Sequence, residues 1–422
     1  RIVVDSGLEK QLNYNARSGM NSLITKKISQ ASAIQRAGRA GRIEPGICYR
    51  LWSEQGQNAL EAHSPAEISR IELSDLVINV AQWGAKIEEL SWLTHPPAIF
   101  VKQAQGLLTD LDLLDTKGQI TPQGERASQM GLNPRFAHML LNASGKQSLE
   151  DASLLAALLT DTPKILRNND DLSRSLTQLK ANLKQHSSQQ SQAAAWMRQV
   201  SNQQKSSDKN TKINEPLSIA QLLALAFPDR IAKLRNSDQT QMSSDNTQYL
   251  LSSGRGAQLH PSSTLISQPW LVVSDIEDNQ QGGSLIRKAI AIDEHELLEL
   301  FSNHIETKSH IKWNAKGQLI AEERAYLGAI IIGQKKLASL TDDQWQQAWL
   351  SYLDDNGIKC LPWTEDCLQL QARLQLAFQH NKKANKEPWP DFSDQALADN
   401  LESWLIPALM NCRTQQSLKN ND

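Results

Sequence analysis

Within Gln35-Arg36-Ala37-Gly38-Arg39-Ala40-Gly41-Arg42, three arginines recur at every third position among small residues, and two glycines interrupt an otherwise helical spacing. A glycine inside a helix costs about 1 kcal/mol relative to alanine, so two of them imply a close approach of backbone to something. A solvated basic face would use lysine and glutamate instead. At about 100° per residue Gln35, Arg39 and Arg42, at i, i+4 and i+7, project within roughly 60° of one another on one helix face. One amide and two guanidinium forks on one face can clamp a phosphate. Ser29 is the expected N-cap. Arg36 points about 100° away from Gln35 and is expected to make a structural or nucleic-acid-side contact.

The surroundings of this helix read as the tail of an α/β domain. Ile2-Val3-Val4 is strand-like, Lys10 to Tyr14 and Ser22 to Ile28 flank a polar turn containing Asn15, Arg17 and Gly19, and Gly46 to Trp52 returns as a strand after Glu44-Pro45-Gly46. From Pro65 the apolar residues switch to helical spacing. Ile68 to Ala81, then Ala98 to Leu114, then Glu125 to Met130 alternate with Pro96-Pro97 and a short turn at Thr116-Lys117-Gly118. Helix, helix, β-turn, helix is a winged-helix pattern.

Gln35 to Arg42, with Val3-Val4-Asp5-Ser6-Gly7, Arg17-Ser18-Gly19-Met20 and Ile28-Ser29-Gln30-Ala31 before it, resembles the final motifs of the superfamily-two RNA helicases of the DEAH-box type. The resemblance implies that Arg42 is the principal arginine finger on the γ-phosphate of ATP, that Arg39 is a second contact, and that Gln35 orients the attacking water. It also implies single-stranded RNA beside the hairpin, with Arg17, Lys26, Lys27 and Arg36 as candidate contacts. No Gly-x-x-x-x-Gly-Lys-Ser/Thr loop and no Asp-Glu-Ala-His box occur in the 422 residues. The expectation is a C-terminal piece of an ATP-dependent helicase, inactive alone, whose ATP and Mg are held mainly by a missing N-terminal domain.

Five regions follow: 1–60, a partial RecA-like α/β domain; 61–147, a winged helix; 148–235, a helical bundle with a mobile polar insert at 185–214; 236–305, an OB-like β-barrel; and 306–422, a mixed C-terminal extension. The fold class is thus multi-domain α/β plus α plus β. The barrel rests on short strands around Tyr249 to Ala257 and Trp270 to Val273, and on His260-Pro261-Ser262-Ser263, which resembles the family's oligonucleotide-binding fold. Arg255 and His260 are its candidate phosphate contacts, with an ordinary turn arginine and a surface histidine as the alternative. Beyond residue 300, Leu361-Pro362-Trp363-Thr364-Glu365 and Trp389-Pro390-Asp391-Phe392 resemble the extension of the bacterial HrpB-type helicases. Six of the eleven tryptophans lie there, and burial in a core is favoured over base stacking.

Composition sets limits. A net charge of −2 excludes a uniformly basic coat, so RNA contacts must be local patches. Four cysteines without CxxC pairing read as free thiols of a reducing, cytoplasmic compartment, with no metal site and no membrane span expected. A nucleic-acid-binding or partner-docking module without a motor, and a DNA translocase, are the competing readings.

Overall fold

The computed structural model describes residues 1–15, 20–204, 216–235, 248–279, 283–314, 317–383 and 389–410, together with 412, 414 and 417. It divides into two units, Arg1–Asn303 with Gly328–Ile330, and the remainder from His304.

In the first unit, strand β1 (Ile2–Asp5) pairs in parallel with β4 (Ile47–Arg50). Between them run a hairpin of β2 (Leu8–Asn15) and β3 (Met20–Lys27), registered from Leu8 opposite Lys27 to Asn15 opposite Met20, and helix α1 (Gln30–Gly38). Ser29 caps α1 by accepting from the Ser32 amide at 3.1 Å. Ala33 is fully buried and packs with Ile28 and Leu60. The helix ends earlier than its arginine spacing suggests: Arg39 is the C-cap, and the Arg39 and Ala40 amides reach back only three residues, to Arg36 and Ala37. Tightening of this kind is usual where glycines weaken the last turn, and it places Arg42 in the turn beyond the helix rather than on its face. Gly7 is required at its place, with φ +71° and the Trp52 ring 2.7 Å from where a Cβ would sit. Helix α2 (Glu54–Asn58) follows.

Next come α3 (Ser74–Gln82), α4 (Ala98–Asp110), α5 (Pro122–Ser128) and α6 (Pro134–Leu141). A single antiparallel bridge, Leu114 to Ile120, forms between α4 and α5. Its turn is held by Asp115 Oδ1, which accepts from the Lys117 and Gln119 amides at 2.8 Å each. Thr121 and Pro122 then start α5, as cap and first-turn residue. Leu108, Leu111 and Leu113 are fully buried beneath.

Helices α7 (Gly145–Thr160), α8 (Leu172–Ala181), α9 (Ser187–Gln204) and α10 (Ile219–Ala226) continue. The segment expected to be a mobile insert, with a helical island at Gln192 to Val200, is helical from Ser187 to Gln204, with Gln189, Ala193 and Val200 buried on one stripe. Gln189 Nε2 donates to the Asp161 carbonyl at 3.0 Å. A narrow buried stripe is enough to dock a helix, and bulk composition does not register it. Residues 205–214 lie outside the described residues.

The chain leaves α10 at Phe227-Pro228 and enters β5 (Ile231–Leu234), within the stretch of 148–235 expected to be a helical bundle. Proline ends the helix, and Ile231 and Ala232 are buried in a barrel instead. With β6 (Gln248–Leu251), β7 (Gly256–Leu259), β8 (Trp270–Asn279) and β9 (Gly283–Ala291), the barrel closes in the order β5-β6-β7-β9-β8. Tyr249, Leu251, Leu271, Val273 and Ala289 fill it, all fully buried. Helix α11 (Glu294–Leu300) follows.

The second unit has a three-stranded sheet of β10 (Ile305–Trp313), β11 (Leu319–Leu327) and β12 (Ile330–Lys336), then α12 (Asp342–Asn356), α13 (Glu365–Lys383) and the short α14 (Asp394–Asp399), α15 (Leu401–Trp404) and α16 (Ile406–Leu409). Tryptophans form its core: Trp349 is fully buried, its ring 4.6 Å from that of Trp313, with Trp345, Trp363 and Tyr352 around them.

Candidate functional site

The three arginines of the motif have different fates. Arg36 is half-buried and spent inside the chain: it donates to Asp5 Oδ1 at 3.1 Å and to the Leu8 carbonyl at 3.1 Å, and pairs with Glu9 at 3.5 Å. Asp5 is itself buried and also accepts from the Gly7 amide. Gln35, Arg39 and Arg42 are exposed, and among the described residues none of the three has an ion pair or a side-chain hydrogen bond. A Cβ built at Gly38 or Gly41 would meet no atom within 4 Å, so nothing in the chain demands either glycine. At Gly46, by contrast, it would fall 2.2 Å from the Ala40 carbonyl.

The hairpin candidates separate. Lys26 and Lys27 sit at the base of the hairpin, opposite Glu9 and Leu8, and not near its turn. Lys26 pairs with Glu61 at 3.4 Å. The eight-residue strands carry both lysines away from the turn and down to the base. Arg17 lies outside the described residues.

Arg255 and His260 line different cavities. His260 borders a groove of about 730 Å³ with Leu12 of the hairpin, Arg167 and Asp170 of the loop before α8, and Asp275, Arg287 and Lys288 of the barrel. The Ser262 amide donates to His260 Nδ1 at 3.2 Å, and the Ser262 hydroxyl lies 2.7 Å from the same nitrogen. Lys288 Nζ donates to the Leu166 and Asn169 carbonyls at 3.2 and 3.3 Å, and the Ala289 amide to Asp170, which fastens that loop to the barrel. Burial holds the Lys288 amine below its ordinary range.

Arg255 borders a smaller chamber, about 310 Å³, with Tyr14, Glu72, Gln103, Asp110, Arg135 and Asp229. Arg135 is the buried centre of a node missed in the sequence. It binds Asp229 through both forks at 2.6 and 2.9 Å and the Ala226 carbonyl at 3.1 Å, while its guanidinium lies 5.0 Å from the Phe227 ring centroid. Burial alone would raise the Asp229 carboxyl, yet Arg135 and then Arg230 hold it down at about 2. The signal available was an arginine within an otherwise apolar helix, Pro134-Arg135-Phe136-Ala137. Tyr14 is also buried, its hydroxyl donating to Gln103 Oε1 at 3.0 Å, and burial pushes its pKa up to about 12.

Among the described residues no group of three or more His, Cys, Asp or Glu is arranged to hold a metal, and no helix is long and apolar enough to cross a membrane. All four cysteines are free thiols.

No protein-family model matches the chain. It is 32% identical over its whole length to the ATP-dependent RNA helicase HrpB of Escherichia coli (strain K12), of which it spans 49%. Over 39% of its length it is 37% identical to the probable ATP-dependent RNA helicase DHR1 of Saccharomyces cerevisiae, spanning 13% of that protein. Two crystal structures of E. coli HrpB, described as a DExH-box NTPase and as a DEAH/RHA helicase, match the whole chain with TM-scores of 0.69 and 0.70 at 30% identity, over 49% and 50% of their own lengths. The chain thus spans about half the length of its HrpB relatives. Its residues are homologous, from first to last, to part of HrpB, a DEAH-box ATP-dependent RNA helicase of superfamily two.

Proposed function

We propose that this chain is the C-terminal part of a helicase that couples ATP hydrolysis to movement along single-stranded RNA. In this reading Arg42 and Arg39 stabilise charge developing on the γ-phosphoryl group, and Gln35 orients the attacking water. ATP and its Mg are bound mainly by a phosphate-binding module that these residues do not include. When bound, the metal neutralises phosphate charge; this chain contributes the two guanidinium forks and the amide. The observation that carries the reading is the division of labour within one motif. Arg36 is satisfied internally, whereas Arg39 and Arg42 stand in solvent beside glycines that leave open space. Exposed, unpaired arginines next to accessible backbone are what an anion delivered from another module requires.

A second observation agrees. Ile2, Val4, Ile47, Tyr49 and Leu51, on or next to the two parallel strands, are each more than half exposed, and parallel sheets are covered on both faces in α/β domains. Helices from the rest of a RecA-like domain are their proposed cover. The strand path is proposed to follow the groove of Arg167, His260 and Arg287, with the winged-helix, bundle and barrel modules behind it.

The test is ATP hydrolysis by the full-length protein with single-stranded RNA and with DNA of the same length. Stimulation by RNA several-fold above DNA supports the reading. Stronger stimulation by DNA makes it a DNA translocase, and hydrolysis indifferent to both leaves a module without a nucleic-acid-driven motor.

A further inference from the structure

The hairpin is fastened at both ends, and to different modules. At its base, Arg36 of α1 donates to the Leu8 carbonyl and pairs with Glu9, both on β2, while holding Asp5 at the end of β1. At its far end, one residue short of the last strand pair, Tyr14 is 7% exposed and sits in the second module. The Tyr14 amide donates to the Arg70 carbonyl at 2.8 Å, its hydroxyl to Gln103 at 3.0 Å, and its ring meets Phe100 edge-on at 4.9 Å. Arg70 returns a bond from its guanidinium to the Leu12 carbonyl at 3.3 Å. Neither hairpin strand belongs to the β1–β4 sheet. From Leu8 to Tyr14 the strand advances six residue steps, a span of about 20 Å at strand rise.

We propose that the hairpin is a strut that ties the arginine-bearing helix α1 to helix α4 of the neighbouring module, and that Tyr14 is the positioning residue at its far joint. A two-stranded ladder held at each end resists bending better than a free loop, so displacement of α1 moves α4. Arg36 follows Gln35 on α1, and the C-cap Arg39 and the turn that carries Arg42 come directly after, so the near joint adjoins the groups assigned to the nucleotide. The inference rests on the helicase reading for the role of the movement, but the joint itself does not.

Tyr14→Phe keeps the ring and removes the hydroxyl; Gln103→Leu removes its acceptor. In the full-length protein, each is expected to lower base pairs separated per ATP hydrolysed by about threefold, with kcat and KM for ATP within about twofold of the parent, and the double variant should be no worse than either single one. Tyr14→Ala should lower the ratio further. In the 422-residue chain, Tyr14→Phe should speed amide exchange in β2 and β3 about threefold or more while β5 to β9 are unchanged. Separation and hydrolysis falling by the same factor, additive effects of the two single variants, or unaltered exchange in the hairpin would each overturn the strut. A parent protein with no RNA-stimulated hydrolysis would instead remove the helicase reading, and the exchange measurement would still decide the joint.

Discussion

Arg36, Arg39 and Arg42 are chemically identical and differ only in their neighbours. Replacing Arg36 with alanine leaves the buried Asp5 carboxylate without its cation and should cost about 1–3 kcal/mol. Replacing Arg39 or Arg42 should stay within about 0.5 kcal/mol. Urea unfolding of the 422-residue chain measures all three, and equal losses would mean that the exposed pair is structural. Arg135→Ala should cost about 2–3 kcal/mol, because the half-buried Asp229 loses two short charge-assisted bonds and keeps only Arg230, at 3.7 Å. Asp229 also sets a pH window. Its folded pKa lies below the unfolded value of about 3.9, so its contribution is fully present above that value and is lost as pH falls toward about 2. Asp229→Asn should flatten acid unfolding in that interval. The exposed arginines were legible because the motif is local. Arg135 was not, since its partner lies 94 positions away and no spacing rule reaches that far.

At the level of elements, local chemistry foretold the hairpin, the Ser29 cap and the turn at Asp115. It failed where a weak stripe met a strong compositional bias. Helix α9 is rich in glutamine and serine, yet Gln189, Ala193 and Val200 recur at i, i+4 and i+11 and are buried. Its central amides should exchange slowly, and Val200→Ala should cost about 2 kcal/mol. Exchange as fast as in an unfolded peptide would contradict the packing. The end of α1 has a different cause: the arginine spacing continues through Arg42, but the helical cost of Gly38 and Gly41 outweighs it and the helix stops at Gly38.

For the molecule as a whole, the two units have separate cores, one built of aliphatic helices and a barrel, the other of tryptophans. Trp349→Ala should cost about 3–5 kcal/mol within the second unit. The motif at Gln35 to Arg42 lies in the first unit. The most direct measurement is steady-state ATP hydrolysis by full-length Arg42→Ala, with thermal melting and nucleotide-free RNA binding alongside. The prediction is a fall of about 10³-fold in turnover with melting and RNA affinity unchanged, and little rescue by lysine, which lacks the bidentate fork. Turnover near the parent value, or a loss that follows the loss of folded protein, would contradict it.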